Sequence, residues 1–358
     1  MQDINSKKLT VIAYLLGFIV TVILVYILIV FKNLLIPLTI AGFLTYLFYP
    51  ILLWMKEKLK IPQGLGLVII FVLNFAVFYL IGLLFVSSIG GFSAKIDFYG
   101  KQLSIVTKDI LKPFNLTLSE LANMIGIETE KFDAGNLIKK LFDVGIIQGL
   151  ITSFSNLFTN FFIVMIFWVF MILGKQNFED RLRLAFKNSK VSIDKTLNSI
   201  NEQLQSYLLI KTGVSLATGL SFGIILSIYG IPFAMIWGLL AFIMNYIPNI
   251  GSLLATIFPI IIGLLEYGLG FTSISLAVIL VIVQTIFGNI IEPKFQGRRM
   301  DLSVVFILIS LIFWGWVWGI IGMFLAVPIS AVIKILCSNI EPLKPVAILM
   351  GSKAETME

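Results

Sequence analysis

The chain has no histidine and a single cysteine, Cys337, and only 13% of its 358 residues are charged. Without histidine there is no imidazole to hold zinc and no side chain that ordinarily titrates near neutral pH, so proton chemistry would fall on carboxylates. One cysteine excludes an intramolecular disulfide and any CxxC site. Also absent are GxSxG, HExxH, P-loop and dinucleotide-binding patterns, and with them an ATPase cassette. These absences point to no enzyme: no catalytic residues, no cofactor and no metal are expected. Any transport would be passive or ion-coupled.

What is present is apolar. Hydrophobic residues make up 59% of the chain and the mean hydropathy is +1.02, against roughly 45–50% apolar in a soluble domain. They fall in long blocks, which predicts an all-α polytopic integral membrane protein with about seven to eight spans or half-spans and the lipid bilayer as its solvent. The net charge of +7 is no argument for nucleic acid, because membrane proteins keep excess Lys and Arg in cytoplasmic loops.

Residues 1–91 read as a three-span bundle. Lys7 and Lys8 precede an uncharged run from Leu9 to Phe31, a retained helix rather than a cleaved signal. A second run covers Leu34–Met55, with Pro37 and Pro50 inside it. The basic loop Lys56–Lys60 follows, then a third run from about Gln63 to Gly91. Placing the N-terminus and this loop inside satisfies the positive-inside rule. Residues 92–150 carry seven basic and seven acidic residues. That balance suits a small helical extracytoplasmic insert, its patterns at 118–125 and 132–142, or helices lying on the membrane surface. A fourth span is expected at 151–174. Residues 175–207 read as a cytoplasmic amphipathic helix with its stripe at Ile193, Leu197, Ile200, Leu204 and Leu208.

The remainder, 208–340, reads as a transport core of broken helices, with 341–358 as a cytoplasmic tail. Lys211 would snorkel to the interface, and Gly219–Gly223 offers a small-residue packing face. Two segments are too long for one span. Phe233–Glu266 is interrupted around Asn245, Pro248, Asn249, Gly251 and Ser252, and Leu302–Leu336 is interrupted at Gly315 and Gly319 with Gly322 and Pro328 beyond. Interrupted helices free backbone groups for a substrate, tolerable only under protein or water cover. Either segment crosses once or turns back. A hairpin at 233–266 keeps Lys294–Arg299 inside with the C-terminus, which positive-inside favours.

Between the two segments sits a charged cluster of Glu292, Lys294, Arg298, Arg299 and Asp301. Pro293 stops the preceding helix, so Glu292 would either bind a cation or proton, or pair with Arg298 or Arg299 as an interfacial anchor. Asn245, Asn249 and Ser252 suit a polar uncharged solute or a dehydrated cation, or simple helix–helix bonding. Gln284 and Asn289 are candidates to face a cavity, and Glu266 to lie at an interface. Trp314, Trp316 and Trp318 are spaced to point in different directions.

Two stretches carry a resemblance. NYIPNIGSLLATIFPIIIGLL resembles the PxxG-type motif of the AI-2E (autoinducer-2 exporter) family, and GNIIEPKFQGRRMDLSVVFILISLIFWGWVWGIIGMFLAVPISAVIKIL resembles that family's C-terminal signature. The strong part covers about Leu204–Leu336, and before it the layout is similar. Asp301-Leu302-Ser303 departs from the Leu-His-Pro that many members carry. The resemblance implies a permease of the prokaryotic plasma membrane that exports a small polar signal molecule, autoinducer-2. Some members are described instead as Na⁺(Li⁺)/H⁺ antiporters, and homo-oligomers, pentamers among them, are described too. Three readings follow: an exporter of a small polar solute, a monovalent cation/proton antiporter using Glu292 or Glu266, and a membrane scaffold that transports nothing.

Overall fold

In hydrocarbon every backbone N–H and C=O must find its partner within the protein, and a helix does this segment by segment. The computed structural model describes residues 2–114, 116, 120, 144–187, 193–296 and 301–352. Among these, seven helices are long and apolar enough to cross a membrane. The protein is an all-α polytopic membrane protein. Its helices are α1 (Gln2–Val30), α2 (Lys32–Lys58), α3 (Gln63–Leu111), α4 (Val144–Ala185), α5 (Ile193–Ile228), α6 (Ala234–Met244), α7 (Ile250–Tyr267) and α8 (Phe271–Thr285). A π-helical turn (Ile286–Ile291), α9 (Glu292–Gln296), α10 (Val304–Asn339) and α11 (Lys344–Met350) complete them.

Two expected boundaries differ. At 49 residues, α3 is about 74 Å long, more than twice the roughly 30 Å hydrocarbon core. No proline lies between Pro62 and Pro113 to stop it. The expected insert at 92–150 therefore begins inside a helix, and α4 starts at Val144, ahead of Ile151. The helical patterns expected at 118–142 lie, Glu120 apart, outside the described residues. Likewise residues 175–207 are not a separate helix. α4 runs on to Ala185, and α5 passes unbroken through Leu208 because no Gly or Pro occurs between Ile193 and Lys211.

The described chain forms two compact units. The first takes residues 1–54, 160–208 and 298–358. Its core buries the α5 stripe: Ile200, Leu204, Tyr207 and Leu208 join Leu302, Val327, Ala331, Ile335 and Met350, with Phe43, Tyr46 and Leu47 packed alongside. Here α10 folds back on itself. Gly319 has φ +66° and ψ −146°, a conformation that L side chains rarely adopt. The two halves meet where the Ser310 and Ser330 hydroxyls lie 2.5 Å apart. Gly315, Gly322 and Pro328, expected as breaks, keep helical dihedrals; Gly319 is the break. Trp314 and Trp318 do not point apart. One turn separates them, their ring centroids lie 4.8 Å apart, and Trp316 is exposed. At the open end of this hairpin the C-terminal segment is pinned. The Ser303 N–H donates to the Met350 carbonyl at 2.9 Å, and Asp301 accepts from Lys334 Nζ at 2.8 Å and from the Ser352 hydroxyl.

The second unit takes residues 55–159 and 209–297. Tyr99, Phe222, Leu226, Ala241, Ala255, Ile262, Leu276 and Leu280 form its core. α6 has 11 residues, about 17 Å, too short to cross. The chain breaks at Asn245–Asn249, and α7 returns until Gly263 lies beside Ile231 and Leu276. Residues 233–266 are thus a helical hairpin. The small-residue face of α5 is what holds it: a Cβ on Gly219 would stand 2.6 Å from the Gly238 carbonyl of α6, and one on Gly238 would stand 2.6 Å from the Gly219 carbonyl.

Each unit holds one hairpin, and the same device turns both. After each break the chain reads Ile-Gly-x-x-Leu-Ala, at Ile250–Ala255 and Ile321–Ala326. The glycine lies against the last carbonyls of the preceding helix, Gly251 on Met244 and Gly322 on Trp314, leaving no room for a Cβ. Gly251→Ala and Gly322→Ala should each lower stability by about 1–3 kcal/mol, read as a fall in melting temperature in detergent. Gly64→Ala, with nothing within 4 Å, should be neutral. A drop of equal size in all three would refute the account.

Asp301 supplies a second check. Burial pushes its carboxyl up, but the Lys334 and Ser352 bonds outweigh that and hold it below its ordinary value. A depressed folded-state value stabilises above the unfolded value near 3.9 and loses that contribution as pH falls through the folded one. Asp301→Asn should therefore melt lower than wild type at pH 7, with the gap closing below about pH 4. A gap constant down to that pH would exclude the carboxylate as its source.

Candidate functional site

The site lies in the second unit, where two polar rungs cross an apolar helix bundle. On α5, Lys211 and Ser215 are i and i+4, so they share a face. Neither can reach water: Lys211 is 4% exposed and Ser215 0%. The first rung is an ion pair, Lys211 Nζ to Glu292 Oε1 at 2.5 Å, with the Gln296 amide 3.4 Å from the same oxygen. In the second, Asn245 Nδ2 donates to Ser215 Oγ at 3.0 Å, and Gln284 Nε2 donates to Asn245 Oδ1 at 3.4 Å. Beside them the Tyr246 hydroxyl donates to Thr212 Oγ1 at 2.7 Å. Asn245 and Tyr246 begin the break of the α6–α7 hairpin, so its tip is held between α5 and α8.

Gln284 and Glu292 are eight residues apart, which in an unbroken α-helix turns them about 80° from one another. The π turn at Ile286–Ile291 absorbs one extra residue, so the two stand as i and i+7 do, on one face. The cause is local. Pro293 offers no N–H to the carbonyl one turn back, and Gly288 leaves space, since a Cβ there would stand 3.3 Å from Gln284 Nε2. Wide turns of this type recur at functional sites.

Of the expected site residues, the structure brings together Asn245, Gln284 and Glu292. Pro248, Asn249 and Gly251 form the turn at the hairpin tip, where Asn249 has φ 59°. Asn289 is exposed on the π turn and does not join them. Arg298 and Arg299 lie outside the described residues. Lys211 does not snorkel: it is the partner of Glu292. That pairing was signalled by a Lys inside the apolar part of α5 and a later span that ends in a carboxylate, but assigning it needed the helix register. Ser215, Thr212 and Tyr246 also went unread. Glu266 sits at the other end of the unit, accepting from Tyr99 at 2.6 Å and Lys95 at 2.8 Å. Burial, and then the hydrogen bond and charge of Glu266, raise the Tyr99 phenol above its ordinary value.

Lys211 is out of water and its partner Glu292 only 16% exposed, and removing one partner of a buried pair typically costs about 3–5 kcal/mol. Lys211→Met should therefore lower thermal stability far more than Lys294→Met, an exposed lysine on α9, and Lys211→Met with Glu292→Met should recover most of the loss. If the double variant is as unstable as the single, the pair is not the source of the cost.

Residues 17–341 match the AI-2E family transporter profile. A relative from Haemophilus influenzae is 30% identical over 325 residues, covering 88% of this chain and 89% of its own length. One from Borreliella burgdorferi is 29% identical over 323 residues, covering 88% and 84%. The names of both specify transport and no substrate. The AI-2 transport protein TqsA of Escherichia coli K12 is 32% identical over 237 residues, covering 65% of this chain and 67% of its own. The chain belongs to the AI-2E family of transporters.

Proposed function

We propose that the protein is an exporter of a small polar solute of the autoinducer-2 kind, seated in the plasma membrane of a prokaryote. The observation that carries the reading is the buried Lys211–Glu292 pair beside the hydrogen-bonded hairpin tip. Charged groups placed this deep are costly and mark solute paths, and broken helices are where transporters bind their cargo. The name of the relative TqsA supplies the solute class. Both termini are assigned to the cytoplasm and residues 92–150 to the outside, on the strength of the basic loop at Lys56–Lys60. A homo-oligomer is part of the proposal and rests on the family resemblance.

In this reading the polar rungs are the gate. Gln284, held in place by Asn245, gives the solute a neutral hydrogen-bonding partner as it passes the tip. The Lys211–Glu292 pair keeps the region polar without a net charge that would trap an ion. Cation–proton exchange draws no support from this arrangement, since the Lys211 ammonium already occupies the Glu292 oxygen at 2.5 Å. Membership of a transporter family weighs against the scaffold.

Proteoliposomes loaded with autoinducer-2 test the proposal. Wild type should release it. Glu292→Gln, which removes the charge that balances Lys211, and Asn245→Ala, which removes the bonds of the second rung, should each slow release about tenfold or more. Release at the wild-type rate in both variants removes the rungs from the path, and protein-filled vesicles no leakier than empty ones would end the exporter reading.

A further inference from the structure

The second rung has an open end. Ser215 Oγ accepts from Asn245 and Asn245 Oδ1 accepts from Gln284. Gln284 Oε1, at the end of this chain, is buried and has no hydrogen-bond partner among the described residues. Turning the Gln284 amide over by itself, with Asn245 as it stands, would not help, because it would set two carbonyl oxygens against each other. Buried polar atoms are nearly always paired, and one left without a partner calls for an explanation. The surroundings favour keeping this amide where it is. Gly288 leaves it room, and the π turn aligns it with Glu292.

We infer that Gln284 is the specificity-determining acceptor of the transport path, and that its Oε1 reads a hydroxyl donor on a neutral solute. This inference rests on the transporter reading above and deepens it. A solute that brings an O–H to this oxygen completes the chain from Ser215 through Asn245 to Gln284. One that brings only acceptors leaves the oxygen unpaired and adds a repulsion. Sites built to bond a hydroxyl discriminate strongly against analogues that lack it, because the site's own polar group is left stranded. Asn245 is a positioning residue here: it is 3% exposed and fixes which way the Gln284 amide faces.

The test compares fluxes in proteoliposomes of the full chain. The probes are autoinducer-2 and derivatives in which a single hydroxyl is replaced by fluorine, close in size but unable to donate. In wild type one derivative should move at least about tenfold more slowly than the parent. In Gln284→Met that ratio should fall toward one. In Gly288→Ala, where the new methyl displaces the amide, it should narrow. A variant that merely folds poorly lowers both fluxes together and leaves the ratio intact, so the ratio separates recognition from structure. Equal wild-type fluxes for every derivative, or a ratio unchanged in Gln284→Met, would overturn the inference while leaving the transporter standing. No flux of autoinducer-2 at all would sink the transporter reading, and this inference with it.

Discussion

Everything in this fold follows from the cost of an unpaired backbone group in hydrocarbon. A helix can cross freely, but a helix that stops midway exposes its last carbonyls and the next helix's first amides to a solvent that cannot bond them. Among the described residues the protein turns a helical hairpin at two places, Asn245–Asn249 and Gly319; Asn245 is buried at the first, while Gly319 is exposed at the second. In the second unit the cover is α5, drawn close by Gly219 against Gly238. In the first, the hairpin halves are bonded to each other through Ser310 and Ser330. Both breaks use a glycine seated on the preceding helix's terminal carbonyls, which a methyl group would displace. The repeated Ile-Gly-x-x-Leu-Ala is the sequence trace of that shared requirement.

A polar site inside such a bundle must also answer for its charge. An isolated Lys211 would be driven neutral or out to the surface. Held at 2.5 Å by Glu292, it stays, and the pair adds polarity without net charge. The register of α8 is what makes the pairing compatible with the second rung. Without the π turn, Glu292 and Gln284 would face different neighbours. Pro293 and Gly288 are thus tied to the charge pair. One removes a backbone donor, the other leaves space, and together they permit a turn wider than the α-helix.

Much of this was legible in the sequence, because its signals are local. Uninterrupted apolar runs mark helices, and the Pro248–Gly251 stretch marks a turn, so the hairpin at 233–266 could be expected. The stripe on α5 needed only helical periodicity. What escaped were features that depend on register or on distant partners. Lys211 and Glu292 are 81 positions apart, and no local pattern joins them. The reading of Lys211 as a snorkelling side chain assumed that a lysine near a span's start has water within reach, and here it is 4% exposed and held by Glu292. The tryptophans were misjudged because Trp314 and Trp318 were weighed together with Trp316, though i and i+4 share a face. The continuation of α3 beyond Gly91 was hidden by composition. Charge enters at Lys95, yet nothing breaks the helix until Pro113.

The length of α3 bears on the hairpin as well. Past its membrane span, Tyr99 and Lys95 both bond Glu266 near the end of α7, and Tyr99 is buried in the unit's core. The open end of the α6–α7 hairpin is therefore tied to α3 by two hydrogen bonds, one of which is also an ion pair. The tip is held by three side-chain bonds between neutral groups, at 2.7, 3.0 and 3.4 Å. Hydrogen bonds to a charged group are stronger than those between neutral amides and hydroxyls. Of the two ends, the tip is then the easier to open. On the exporter proposal that is where the solute passes, and strength and weakness along the hairpin are then distributed as a gate needs them.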